Sequence, residues 1–294
     1  MTAIASPCVG ICRFGGSSDY CLGCGRTAEE LSNWGTMAES QRQRVWDGLP
    51  ARLAELGIVV SLLPWPEIDI LDYVERTLRS SEGTWVFGVY GAVAEFIRDR
   101  DERVVVSRRE STIEAVTPRA ALRLTGGQGV RALRVDTGAS GLSGPERIVL
   151  AVPKAKRALP AVDSLTLRGP DTAAIRHADR QCPLFDLGLG SANIRFCVRA
   201  QSERCAAELR SREGVQFRTF LPELSRTVSA ENATRVVETR LGRIEIRTRI
   251  PPPNASLPSG PNTHFLPERF RLNRDMPPGL DLPEAYVPGA IYYA

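Results

Sequence analysis

Between Thr84 and Val152 the chain delivers one β-branched or aromatic run after another, with no helical segment between them. The runs are Thr84 to Tyr90, Ala92 to Ile97, Arg103 to Ser107, Ala120 to Leu124, Val130 to Val135 and Arg147 to Val152, each bounded by turn residues. Parallel neighbours need a crossover of a dozen or more residues, usually a helix, so this succession argues against a doubly wound parallel sheet. Asn193 to Arg199 predicts another strand, and Val236 to Ile250 a hairpin turning at Leu241-Gly242. Helix signals are few. Residues 66–79 place Ile68, Leu71, Val74 and Leu78 on one face behind Pro66, and residues 202–213 end at Gly214. From Pro251 the chain is rich in Pro, Gly and Asn, which predicts a coil laid over the sheet. The expectation for residues 64–294 is an α+β domain, mainly antiparallel sheet with few helices.

Residues 1–57 read differently, and Leu62-Leu63-Pro64-Trp65-Pro66 marks the junction. Cys8, Cys12, Cys21 and Cys24 fall within seventeen positions, spaced Cys-x3-Cys, eight residues, Cys-x2-Cys. Two or three short helices follow. Thr27-Ala28-Glu29-Glu30 and Thr36-Met37-Ala38-Glu39 both have the form of a capping box, and Pro50 predicts a restart of the last helix. A segment this short and this poor in apolar residues seldom holds itself together by burial alone. A bound metal would supply the missing staple. Four thiolates complete a tetrahedral zinc site or hold an iron–sulfur cluster, and Arg13 and Arg26, each just behind a cysteine, can offset their charge. Free buried thiols or two disulfides are the plainer alternative.

Ser6-Pro7-Cys8, Cys12-Arg13, Cys21-Leu22-Gly23-Cys24-Gly25-Arg26-Thr27, Glu30, Trp34 and Leu49-Pro50-Ala51-Arg52 together resemble a small bacterial family of unknown function described as predicted iron–sulfur proteins. The resemblance covers residues 6 to about 54. It implies cluster or metal binding through Cys8, Cys12, Cys21 and Cys24, and no established activity.

In the larger domain Glu95 lies in an apolar run, Asp186 lies among Leu and Gly, and the chain's two histidines are His177 and His264. Gathered into one pocket, these four could exchange protons or bind a metal. Taken singly, the carboxylates suit outer strand faces or turns, and His264 suits an anchor for the proline-rich tail. Leu184 to Gly190 and Gly260 to Pro267 look like stretches of uncharacterised proteobacterial proteins that carry the same cysteine module. Those have His-Thr-His where this chain has Asn262-Thr263-His264. Cys182, Cys197 and Cys205 are scattered and read as core. In the hairpin, Arg243, Arg247 and Arg249 alternate away from Ile244 and Ile246. That strip reads first as a solvated face and second as a contact for nucleic-acid phosphates, though few aromatics interleave with it for base stacking.

A net charge of +4 demands no nucleic-acid partner, although 36 of the 38 basic residues are arginine. The longest apolar run, residues 57–63, falls far short of the ~20 needed to span a bilayer, and the first seven residues lack the basic start of a secretory signal. The expectation is a cytoplasmic protein without a membrane partner. It holds zinc or an iron–sulfur cluster at four cysteines and binds a protein or small molecule through its α+β domain. An iron–sulfur redox or electron-transfer enzyme and a zinc-stabilised nucleic-acid-binding protein are the alternatives.

Overall fold

A computed structural model gives the fold and describes residues 6–7, 14, 19–21, 24–55, 60–127, 129–135, 147–155, 158–160, 162–216, 231, 233–249, 260–276 and 282–294. Among these residues the chain forms two antiparallel sheets. The seven-stranded sheet runs in the order β1 (Val60–Leu62), β7 (Arg131–Val135), β8 (Arg147–Pro153), β15 (Tyr286–Tyr293), β2 (Thr84–Val89), β3 (Ala92–Phe96), β14 (Thr263–Phe265). The eight-stranded sheet runs β4 (Val105–Arg109), β5 (Thr112–Val116), β6 (Ala120–Thr125), β13 (Gly242–Ile246), β12 (Thr234–Thr239), β11 (Ile194–Arg199), β10 (Pro183–Asp186), β9 (Thr166–Pro170). Every pairing is antiparallel.

Period-2 alternation sets the core. Leu122 and Leu124 of β6, Ile244 and Ile246 of β13 and Val237 of β12 share one apolar cluster with Phe87, Ala92, Ala94 and Leu150 of the other sheet. Each fully buried Leu, Ile, Val or Phe side chain here contributes roughly 1.5–3 kcal/mol. Helix α3 (Glu67–Arg79) adds Ile70, Leu71, Val74 and Leu78 to the cluster, with Pro66 at its N-cap, one position before the first helical residue rather than within the first turn. Trp85 Nε1 donates to Thr77 Oγ1 at 3.1 Å, so the indole fastens α3 to β2. Ser202 caps α4 (Glu203–Arg210), and Gly214 follows it at φ +80°.

Three elements differ from the sequence reading. The proline-rich tail is not all coil. β15 lies in the middle of its sheet, between β8 and β2, although it contains Pro288 and Gly289. Its register with β8 shifts between Pro288 and Ala290, a bulge where the missing N–H breaks no regular rung. Gly289 is needed there, because a Cβ would sit 2.6 Å from Leu241 Cβ. In the N-terminal part, α1 (Ala28–Asn33) has the full Thr27/Glu30 capping box. The second box is not made: Thr36 Oγ1 donates to the Asn33 carbonyl and Gln41 caps Ala38 N. Helix α2 (Glu39–Glu55) is one helix running through Pro50. Its Val45, Trp46 and Leu49 pack on Leu62, Leu133, Val149 and Ala151, the outer face of the seven-stranded sheet.

The hairpin face that carries Arg243 and Arg247 is not solvated. Residues 171–182 cover it, and it is an internal ion lattice. Arg243 forms two hydrogen bonds to Asp171, at 3.0 and 2.7 Å. Arg199, 0% exposed, bridges Asp171 and Glu245. Arg247 reaches Asp179 and Glu245, and Glu245 also accepts the Ile175 N–H at 3.0 Å. Arg243 and Arg247 are therefore committed to carboxylates rather than offered to phosphates, while Arg249 is exposed. Removing one partner of a buried pair strands the others. Asp171→Asn should lower unfolding stability by ~3–5 kcal/mol, and Arg249→Gln should change it by less than ~0.5 kcal/mol, both read from urea unfolding midpoints.

Candidate functional site

Cys8 and Cys12 lie outside the described residues; Cys21 and Cys24 are described and buried. A tight turn holds this pair. Cys24 N and Gly25 N donate to the Cys21 carbonyl at 3.3 and 2.8 Å, Gly25 takes φ +74°, and Cys21 N returns to the Arg26 carbonyl at 2.8 Å. The Cys24 thiol is pushed well up from its ordinary range, first by its hydrogen bond with the Cys21 thiol and then by burial, against the opposing pull of Arg26. Two buried sulfurs in contact, with a free thiolate disfavoured at Cys24, suit a soft or borderline cation better than solvent chemistry.

The surrounding motif residues build the support. Glu30 completes the α1 cap and takes Arg52 of α2 in two hydrogen bonds, at 2.6 and 2.9 Å. Arg52 also donates to the Gly25 carbonyl at 3.3 Å, so the turn after Cys24 is tied to both helices. Arg26 is 1% exposed, stacked 4.8 Å from the Trp34 ring centroid beside the Cys24 sulfur. Among the described residues it makes no ion pair, and its Nε and Nη1 have no acceptor. An all-thiolate zinc or cluster site carries net negative charge and fits this buried guanidinium. No group of three metal ligands occurs among the described residues, which contain only half of the quartet.

Of the four pocket candidates in the larger part, the structure brings two together. His264 pairs across β14–β3 with Val93, and its Nε2 lies 3.0 Å from Glu95 Oε2. Asp186 is elsewhere, on β10, buried against Arg195 Nε at 2.9 Å and accepting the Gly188 N–H. Burial raises its carboxyl above the usual range, against those two contacts. His177 is exposed on a single 3-10 turn, 177–179. Cys197 and Cys205 are buried as core thiols, and Cys182 is partly exposed.

His264 also lines a cleft of about 290 Å³, with Val93, Leu187, Leu189, Phe196 and Phe265 among its walls. The cleft includes a residue that the sequence reading passed over, Arg235 of β12. A signal was available. Arg235 has the same strand parity as Val237 and stands opposite Ile246, so it is an arginine at an inward-facing position. The Glu95 contact raises the His264 pKa above its ordinary 6.5. The stabilisation from that pair is therefore complete below about pH 6.5 and is lost as pH climbs through the raised value. His264→Gln should cost more stability at about pH 5.5 than at about pH 9, measured as the gap between wild-type and variant urea midpoints.

The model of a family of unknown function, DUF6925, matches residues 69–293. A second model, of a protein of unknown function, DUF1289, matches residues 6–53, the stretch with the cysteines and the Glu30–Arg52 clamp. No curated protein and no solved structure matches the chain. No helix among the described residues is long and apolar enough to cross a membrane.

Proposed function

We propose that this chain, which belongs to the family of unknown function DUF6925, is a ligand-binding protein that carries a four-cysteine metal centre next to its sheets. Cys8, Cys12, Cys21 and Cys24 hold zinc or an iron–sulfur cluster, and the sheet body binds a small molecule. One observation carries the metal reading: Cys21 and Cys24 are buried in contact, beside a buried Arg26 that has no carboxylate partner among the described residues. A guanidinium stays charged, and burying it unpaired is costly. A thiolate-bound metal supplies the anion in the position where the structure leaves it wanting.

The centre is read as structural. The turn at Cys21–Gly25 is fastened through Arg52 to α2, and α2 packs on the seven-stranded sheet through Val45, Trp46 and Leu49. Metal binding here fixes the N-terminal part against that sheet. The nucleic-acid alternative loses two of its three guanidiniums to the internal lattice.

Anaerobic purification followed by elemental analysis and an absorption spectrum tests the metal. The expected result is about one zinc, or several irons with matching sulfide and a brown chromophore, per chain. The double variant Cys21→Ser/Cys24→Ser should lose that stoichiometry and open residues 28–55 to protease, while β-sheet circular dichroism persists. Unchanged metal content in the double variant would overturn the assignment.

A further inference from the structure

Arg235 stands apart from every other buried arginine of its sheet. Arg195 has Asp186 and Glu238, Arg199 has Asp171 and Glu245, and Arg243 has Asp171. Those three lie on the outer face of the eight-stranded sheet. Arg235 lies on the inner face, 7% exposed, at the ladder position opposite Ile246. Its Nη2 donates to the Thr248 carbonyl at 2.7 Å and to Thr248 Oγ1 at 2.9 Å. Its Nε has no acceptor, and no carboxylate pairs with it among the described residues. Burial pushes its pKa down to about 10, which still leaves it charged at neutral pH.

Among the described residues no carboxylate pairs with Arg235 to supply a counter-charge. Of the other ionisable groups on the cleft wall, Cys197 is a thiol that burial keeps protonated, and His264, whose own charge repels Arg235, is paired with Glu95. The remaining walls are apolar, Val93, Leu187, Leu189, Phe196, Val237 and Phe265 among them, with Thr263 as a further hydroxyl. An apolar cleft with one fixed, unpaired cation in its wall is complementary to a molecule that is apolar along most of its length and anionic at one end. Size narrows the class. The cleft's roughly 290 Å³ is about twice the ~150 Å³ cavity that accepts benzene, which suits a ligand of about a dozen heavy atoms. Charge narrows it further. A single guanidinium, two of whose hydrogen bonds already go to Thr248, balances a monoanion, whereas a phosphate dianion would bring one uncompensated charge into the cleft.

We propose that the cleft between β14 and the β11–β12 pair binds a small amphipathic carboxylate, with the carboxylate on Arg235 and the apolar body on Phe196, Val237, Phe265 and the Leu187–Leu189 segment. This rests on reading the sheet body as a ligand-binding unit and does not depend on the metal centre.

Titration calorimetry of the full chain at about pH 7 with decanoate, decan-1-ol and decyl phosphate tests it. The expected result is that decanoate binds about tenfold or more tightly than the alcohol and more tightly than the phosphate. Arg235→Met, which keeps an unbranched apolar stem and removes the guanidinium and its charge, should cut decanoate affinity about tenfold or more and leave decan-1-ol within about twofold. Leu189→Trp, which fills the cleft at a partly buried position and leaves Arg235 in place, should weaken both, and decides the matter if Arg235→Met does not fold. Equal affinity for acid and alcohol, or an acid preference that survives in Arg235→Met, overturns the carboxylate proposal and leaves the ligand-binding reading standing. Tighter binding of the phosphate overturns it in favour of a phosphomonoester. Binding of none of the three probes overturns the proposal and the ligand-binding reading together. Loss of metal from the cysteine double variant without loss of decanoate binding is expected.

Discussion

A guanidinium keeps its charge at every physiological pH, so a chain that buries arginines must bring an anion to each of them or retain an unbalanced charge. In this protein that constraint organises the outer face of the eight-stranded sheet. Residues 171–182 lie over it because Asp171, the Ile175 N–H and Asp179 meet Arg243, Arg199, Glu245 and Arg247 there. An apolar outer face could have been covered by any apolar segment, but this one needs carboxylates at fixed positions. The lattice thus specifies which segment covers the sheet and in what register, and well-packed apolar residues of similar volume could match it in stability. Among the described residues the two buried guanidiniums that escape the rule, Arg26 and Arg235, lie at the two places where a metal centre and a ligand are proposed.

The alternation of apolar and polar residues made most strands legible. β2, β3, β6, β7, β8 and β11 fall close to where β-branched and aromatic runs place them. The hairpin turned within a residue of the expected position, because Ile244 and Ile246 must face the core. What the pattern hid was determined by long-range packing. β15 reads as coil because Pro288 and Gly289 argue against a central strand. It is rescued by a bulge and by the close approach of Leu241, neither of which is local in sequence. β9 and β10 are short strands whose pairing depends on β11, so their own residues carry little signal. Pro50 was read as a helix restart by local rules, and α2 runs on because its apolar face is pinned to β1, β7 and β8.

Site residues were legible to the extent that their chemistry is sequence-local. The Cys-x2-Cys turn, Thr27, Glu30 and Arg52 meet in space much as the motif implies, since most of them fall within ten residues of Cys21. Glu95 and His264 are 169 positions apart, yet both were recognised, Glu95 as a carboxylate in an apolar run and His264 as one of two histidines. Their partnership depends on β14 pairing with β3, which no window of sequence reveals. Asp186 and His177 look equivalent to them on the page and fail for a geometric reason: one is held against Arg195 and the other is exposed. Arg235 was hidden among the arginines of one strip. Only strand parity, applied residue by residue, separates it from Arg243 and Arg247.

The strand order also bears on how the two proposed sites relate. The seven-stranded sheet begins at β1 and ends at β14. Helix α2 leans on the β1–β7–β8 half, and the cleft belongs to the β3–β14 edge. Between them run β15 and β2, paired with their neighbours on both sides, with one bulge in the β15–β8 ladder, and packed through Trp85 and Tyr292. A dense sheet of this kind has one arrangement of its ladder rather than two, and coupling between distant sites needs an element with two discrete states. None of the described strands offers an alternative register, since a one-residue slip would turn Phe87, Ala94 and Leu150 out of the core. The physical expectation is therefore that the proposed metal centre would hold the N-terminal part to one edge of the sheet, and the cleft at the other edge would bind the proposed ligand independently.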